Sequence, residues 1–298
     1  MNEQGIYSRI MNFLVHTQLL IATGSLGIML ASSKLLNVPF SAELAFMVFS
    51  SCFAIYNINR RTDAEEDKLN TPHRAEYIKK YELALYISVV MYLAAIALSV
   101  FVNVYITAVL LFNIIIGIVY SYGVLPSFVK KATGYERLKQ VPLVKNFVVS
   151  LVWAFIPLMV SLNAKIELNI TVFFVLSYVF LRLFIGCIAF DVRDVYGDKV
   201  SGIRTLPSII SVKKTIGLLY VLNTISGITL FLLVYYNHLP PVGHMINLIT
   251  IYGYYYIHKL GGPRKSLINL CDRVIDAEYV VIGVLAFVGD KILSYWML

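Results

Sequence analysis

Charge is scarce in this chain. Asp, Glu, Lys and Arg make up 14% of its 298 residues, against about 25% in a soluble globular protein, and 59% are hydrophobic. An ordinary soluble domain is therefore excluded. Cysteine is scarce too: Cys52, Cys187 and Cys271 are scattered through apolar or loop sequence without metal-ligand spacing or pairing. Each reads as a small hydrophobe, which argues against a thiolate-held metal centre. There is no low-complexity tract and no tandem short repeat. The first apolar stretch lacks a small-residue cleavage site and outruns the roughly 7–15 residues of a signal-peptide core, so it reads as a retained helix.

What the chain has in quantity is long apolar runs. A bilayer-spanning helix needs about 20 mostly apolar residues. Nine such stretches occur, near 10–31, 41–58, 83–101, 104–122, 144–163, 167–190, 214–236, 244–258 and 276–296. The expected fold class is all-α: a polytopic membrane protein of about nine transmembrane helices, bundled around a lipid-accessible cavity, as a single domain over 1–298. Of the 25 Lys and Arg, 20 fall in four loops, Arg60 to Lys80, Lys130 to Lys145, Arg193 to Lys214 and Lys259 to Arg273. The alternate loops hold only Lys34 and Lys165, with Lys291 near the C-terminal end. The positive-inside rule then puts the N-terminus and all four basic loops in the cytoplasm and the C-terminus outside. The net charge of +8 is thus an orientation signal rather than a nucleic-acid signal.

The few carboxylates are concentrated in two loops, near 59–82 and 191–213. Asn59, Asp63 and Asp67 are spaced i, i+4, i+8, which on a helix places all three on one face. Asp194 and Asp198 repeat the i, i+4 step, and Asp191 falls on the same stripe. Like charges at that spacing destabilise a helix by about 0.2–0.5 kcal/mol per pair, a sign that a bound cation reverses. At the bilayer centre each Asp would cost on the order of 2.5–3.5 kcal/mol, so the stripes must face a polar pocket at the membrane edge. Oxygen-only ligands suit Mg²⁺, which is typically held by one or two carboxylates together with substrate phosphates. No His or Cys lies in either cluster, which argues against zinc.

These motifs resemble the UbiA-type intramembrane prenyltransferases. The matching residues are the N-x-x-x-D-x-x-x-D run at Asn59, Asp63 and Asp67 and the D-x-x-D-x-x-x-D run at Asp191, Asp194 and Asp198, continued by Gly202-Ile203-Arg204-Thr205-Leu206-Pro207. Asn70, Pro72, His73 and Arg74 follow the first motif as the family's Asn-x-Pro-x-Arg does, and Tyr120-Ser121 and Lys145-Asn146 match two shorter signatures. Two positions depart from the pattern. Arg60 stands where the family often has an acid, and Ala75-Glu76-Tyr77-Ile78 replaces the usual Pro and Gly after Arg74.

The resemblance implies transfer of a polyprenyl group from its diphosphate to an aromatic or glycerol-based lipophilic acceptor. Mg²⁺, or Mn²⁺ in its place, would be held by Asn59, Asp63, Asp67, Asp191, Asp194 and Asp198. Asp63, Asp67, Asp194 and Asp198 are the expected catalytic residues; Asn59, Arg74, Tyr120, Lys145 and Arg204 are expected on the substrate. An aromatic face such as Tyr120 or Phe112 could stabilise the allylic cation, although for any one aromatic plain packing or a membrane-interface belt is the stronger reading. Arg182 is read as the one clearly embedded charge, lining the pocket or paired inside the bundle. Tyr252, Tyr254, Tyr255 and Tyr256 read as a membrane-interface belt. The main alternative is a transporter with acidic cation-binding loops, but transporters place ionisable groups near the midplane. A CDP-alcohol phosphatidyltransferase would need a D-G-x-x-A-R signature that is absent.

Overall fold

The computed structural model describes residues 3–62, 80–122, 143–200 and 203–296, with a few single positions between 123 and 142. Among these the secondary structure is helical throughout. The helices are α1 (Glu3–His16), α2 (Leu19–Leu35), α3 (Ala42–Thr62), α4 (Glu82–Val102), α5 (Val104–Ser121), α6 (Val144–Asn163) and α7 (Ile170–Val200). They continue as α8 (Leu206–Ile210), α9 (Val212–Tyr235), α10 (Val242–Ile246), α11 (Ile249–Lys259), α12 (Arg264–Asn269), a π-helical segment (Leu270–Ile275) and α13 (Asp276–Trp296). The all-α membrane class is thus the observed one.

The count of nine spans is not reproduced by length and hydropathy. Among the described residues six helices, α3, α4, α5, α6, α7 and α9, are long and apolar enough to cross a membrane. A seventh crossing requires α1 and α2 to count as one span, yet they are bent by 74°. The run read as 10–31 breaks at Gln18, whose φ of 66° takes the chain through the left-handed region. The run read as 244–258 is two short helices, α10 and α11, and α13 carries Asp276, Glu278, Asp290 and Lys291 along its 21 residues.

The bundle inverts the rule of a soluble core. On α4 the buried positions are Ser88, Tyr92, Ala95 and Ser99, a stripe of three- and four-residue steps, while Leu83, Tyr86, Val90, Leu93 and Phe101 point outwards. Lipid is as apolar as leucine, so close packing and interhelical hydrogen bonds drive association instead. The Tyr92 hydroxyl donates to the Leu110 carbonyl at 2.8 Å, and Ser99 pairs with Thr107 at 2.9 Å. The tightest seam joins α2 to α13. A Cβ at Gly27 would lie 2.1 Å from the Tyr279 carbonyl oxygen, and one at Gly283 would lie 2.4 Å from Gly27 Cα. Only glycine permits that approach.

α7 positions the second acidic motif. At 1.5 Å per residue, positions 170–190 cover about 31 Å, the thickness of a hydrocarbon core, so Asp191 begins where lipid ends.

Candidate active site

A cavity of about 240 Å³ opens at the end of the bundle where α3, α5 and α7 finish and α6 and α13 begin. Its mouth carries Asn59, Arg60, Tyr120, Lys145, Asn146 and Asp276, and its floor is apolar and aromatic, with Ile55, Val152, Leu183 and Trp153. Three of the sequence-predicted residues, Asn59, Tyr120 and Lys145, therefore line one cavity from three helices.

The short motifs hold the acidic ones in place. The Ser121 hydroxyl, at the end of α5, donates a short hydrogen bond to Asn59 Oδ1 on α3. At the start of α6, Lys145 Nζ pairs with Asp191 Oδ1 at 2.8 Å and Asn146 Nδ2 donates to Asp191 Oδ2 at 2.7 Å. Asp191 is 1% exposed. Adjacent residues near the start of one helix thus grip both oxygens of a carboxylate near the end of another. Lys145 also lies within electrostatic reach of Asp198 and Tyr120. Asp191 and Asp198 are seven residues apart, which is within about 20° on a helix, so both face α6 as their spacing predicts.

Asp194 is engaged differently. Arg193 Nε and Nη2 donate to its two oxygens at 2.7 and 2.6 Å, while Arg193 Nη1 donates to Asp272 Oδ1 at 2.6 Å. This bridge ties α7 to the π-helical segment. There Tyr252 donates from its hydroxyl to the Val274 carbonyl at 2.7 Å. Burial against Ala189 pushes the Cys271 thiol up. Arg204 is exposed and outside the cavity lining. Asp63, Asp67 and Arg74 lie outside the described residues.

The donor set fits a hard divalent cation. Asp191 and Asp198 are buried carboxylates on one helix face, Asp191 held by Lys145 and Asn146, Asn59 Oδ1 accepts from Ser121, and Asn146 Oδ1 is buried without a hydrogen-bond partner among the described residues. No group of three or more Asp, Glu, His or Cys converges among the described residues.

Several expectations change. Phe112 is 43% exposed and packs on Phe155 at the outer surface, away from the cavity. Its place is taken by aromatics that the sequence reading passed over. Tyr56, Trp153 and Tyr279 line the cavity, with ring centroids 6.2 Å apart for the first pair and 5.0 Å for the second. The Trp153 indole donates to the Tyr56 hydroxyl at 3.1 Å. Arg60 lines the mouth, but its guanidinium is spent on α1: Nη1 donates to the Val15 and His16 carbonyls at 3.2 and 2.8 Å, capping that helix at the bend.

Arg182 does not line the cavity. It pairs with Glu278 on α13 and donates to Asn223 Oδ1 on α9 at 2.6 Å, all three side chains being buried. Nor is it the one embedded charge, because Glu278 is 0% exposed. The apolar run around Glu278 masked it; its position two residues after Asp276 was the available signal. The tyrosine belt also divides. Tyr254 and Tyr255 are exposed, whereas Tyr256 is 0% exposed and Tyr252 is partly buried, because four residues return a side chain to the same helix face.

Comparison with known proteins bears on the family and the fold. Residues 20–267 match the UbiA prenyltransferase family. A digeranylgeranylglyceryl phosphate synthase of Methanosphaera stadtmanae is 30% identical over 236 residues, covering 78% of this chain and 79% of that protein. Among solved structures, a UbiA homologue from Archaeoglobus fulgidus bound to GPP and Mg²⁺ superposes with a TM-score of 0.62 at 17% identity, covering 92% of this chain and 99% of that one. A digeranylgeranylglyceryl phosphate synthase structure gives a TM-score of 0.58 at 20% identity, covering 94% and 97%. At those identities the structural likeness speaks for the fold.

Proposed function

The chain belongs to the UbiA prenyltransferase family and is a multi-pass membrane prenyltransferase; on that premise we propose that it transfers a polyprenyl group from its diphosphate to a glycerol phosphate-based lipophilic acceptor, as one transmembrane domain spanning the chain. The observation that carries this reading is that Lys145 and Asn146 hold Asp191 and, with Asn59 and Tyr120, line one cavity. Asn59, Asp63, Asp67, Asp191, Asp194 and Asp198 would hold Mg²⁺, or Mn²⁺, and the ion would supply neutralising charge for the diphosphate. Lys145, Arg74 and Arg204 add positive charge where negative charge develops, and Tyr120 donates a hydrogen bond to the same group. The apolar floor takes the isoprenoid chain. Tyr56, Trp153 and Tyr279 turn their π-systems toward the allylic carbon as positive charge grows on it.

The acceptor assignment is supported by the name of the 30% identical relative. For orientation, the asymmetry of the basic residues favours a cytoplasmic N-terminus and motif loops with the C-terminus outside. That would open the cavity toward the water-soluble pool of diphosphates.

Purified protein in lipid, incubated with a panel of prenyl diphosphates and acceptors and read by mass spectrometry, tests the proposal. An ether-linked product on a glyceryl phosphate, lost on EDTA treatment and restored by Mg²⁺ but not Zn²⁺, is expected. Full activity after exhaustive EDTA treatment would contradict the metal assignment, and prenylation of an aromatic acceptor alone would overturn the glycerol assignment. Labelling of a cysteine at position 65 or 196 by an impermeant maleimide from outside intact cells would reverse the orientation.

A further inference from the structure

Helix α1 turns 74° away from α2. Its 14 residues are about 21 Å long, and at that angle they run about 20 Å across the α2 axis but only about 6 Å along it. Three contacts fix its level. Arg60, in the last turn of α3, holds the Val15 and His16 carbonyls. Arg273 Nη2, in the π-helical segment that leads into α13, donates to Asn12 Oδ1 at 2.8 Å. The Phe13 ring meets Tyr81, at the start of α4, edge to face with centroids 5.8 Å apart. All three partners stand at the mouth end of the bundle, where α3 finishes and α4 and α13 begin. Gln18, at the bend, lines the cavity itself. α1 therefore lies across the mouth end, at the level where apolar spans give way to water.

The sides of this helix differ. At 100° per residue Ile6, Ile10 and Phe13 fall within an arc of about 60°, which Tyr7 and Leu14 widen to about 120°. Ile6, Tyr7, Ile10 and Phe13 are exposed. The Asn12 and Val15 side turns toward the bundle, where Val15 is buried. Arg9 and Gly5, both exposed, lie between these two sides. A helix inside a membrane crossing is apolar all round, whereas a soluble domain turns an arc of this width inwards. An exposed apolar arc beside a basic edge is the pattern of a helix lying in the plane of the interface.

We propose that α1 is a membrane-surface helix, with Ile6, Tyr7, Ile10 and Phe13 seated in the headgroup–acyl boundary of the leaflet at the cavity mouth and Arg9 against the lipid phosphates. The partner is lipid because the arc lies beside α3 and α4, two helices able to cross the membrane. It also continues the outward apolar surface of α4, which begins with Leu83 and Tyr86 next to the Phe13 and Tyr81 contact. Arg60 both holds α1 and lines the cavity, so seating α1 in lipid fixes the height of the mouth. This holds for any prenyl acceptor and does not depend on the reaction.

Spin labels on single cysteines test it. The variants Gly5→Cys, Ile6→Cys, Arg9→Cys, Ile10→Cys and Phe13→Cys are made on a Cys52→Ala, Cys187→Ala, Cys271→Ala background. The full chain is placed in vesicles of phosphatidylcholine with phosphatidylglycerol, and depth is read from the relative access of oxygen and a water-soluble nickel chelate. Labels at 6, 10 and 13 should share one shallow depth, about 5–10 Å below the phosphates, while those at 5 and 9 meet the chelate. With Ile6→Asp and Ile10→Asp added, the label at 13 should move out into water. If the cysteine-free background fails to fold, Ile10→Trp in the native chain, quenched by lipids brominated close to the headgroup, reads the same depth. A depth that grows steadily from 6 to 13 would make α1 part of a crossing and overturn the proposal. Chelate access at 6, 10 and 13 equal to that at 5 and 9 would overturn it, as would shielding of all three from both reagents, which would mean that protein covers the arc.

Discussion

Two buried ion pairs sit on opposite faces of α7, nine residues apart. Arg182 with Glu278 and Asn223 is sealed between α7, α9 and α13, whereas Asp191 is held by Lys145 and Asn146, which line a cavity. Nine residues are half a turn out of phase at 100° each, and about 13 Å along the axis. Chemically the pairs are alike, a cation and a carboxylate helped by an amide. What separates them is access: Arg182 and Glu278 are both 0% exposed, while Lys145 is about a quarter exposed and reaches the cavity mouth. The closed pair lies wholly inside the bundle, and the open pair is the one that the proposed function turns toward a substrate.

Removing half of the closed pair should have the largest effect. Glu278→Ala leaves the Arg182 charge buried and uncompensated, at a cost of about 3–5 kcal/mol. Thermal unfolding in detergent should show a large drop in midpoint, with substrate giving no rescue. Replacing both partners, as Arg182→Met with Glu278→Leu, should recover most of the loss, because apolar pairs of similar volume are often no worse than a buried ion pair. A wild-type midpoint in Glu278→Ala would erase the distinction between the two faces.

On the open face the cost should appear in rate instead of stability. Asp63→Ala, Asp67→Ala, Asp194→Ala and Asp198→Ala should each lower transfer by at least about 10²–10³-fold, the scale of losing one preorganised charge-stabilising group, while the protein stays folded in membranes. Asp191 and Asn59 should weaken metal affinity more than turnover. Near-normal transfer in Mg²⁺ buffer for two or more of the four alanine variants would remove the site assignment.

The α2–α13 seam carries both faces of α13, so loosening it sharpens the contrast. Gly27→Ala forces a methyl to within 2.1 Å of the Tyr279 carbonyl, and overpacking of that kind costs about 1–3 kcal/mol. Both stability and transfer should fall together, unlike either ion-pair variant. Unchanged values in both assays would mean the seam yields without consequence. The smallest effect belongs to the lipid-facing side. Phe112→Leu should leave both unfolding and transfer near wild type, because the ring is 43% exposed at the bundle's outer surface; a loss of transfer would return Phe112 to the cavity.

Much of this was legible in the sequence where the signal is periodic. The i, i+4 spacing of Asp194 and Asp198 and the half-turn offset between Arg182 and Asp191 follow from 3.6 residues per turn and match the helix α7. The Tyr120-Ser121 and Lys145-Asn146 pairs lie at the cavity, as a motif reading expects. Long-range partnership was not legible. Glu278 is separated from Arg182 by 96 residues, and it carries no local pattern that names its partner. The break at Gln18 was hidden because apolar residues continue through it, and composition does not register a change of direction. Phe112 packs on Phe155 at the outer surface, as the plain-packing reading of a single aromatic expects.

The most direct test compares Mg²⁺-dependent binding of geranyl diphosphate by purified wild type, Asp198→Asn and the Arg182→Met, Glu278→Leu pair, with the unfolding midpoint of each. The account predicts that Asp198→Asn loses diphosphate binding and keeps its midpoint, while the double variant keeps binding. Retained binding in Asp198→Asn together with lost binding in the double variant would contradict it, and would put the substrate on the other face of α7.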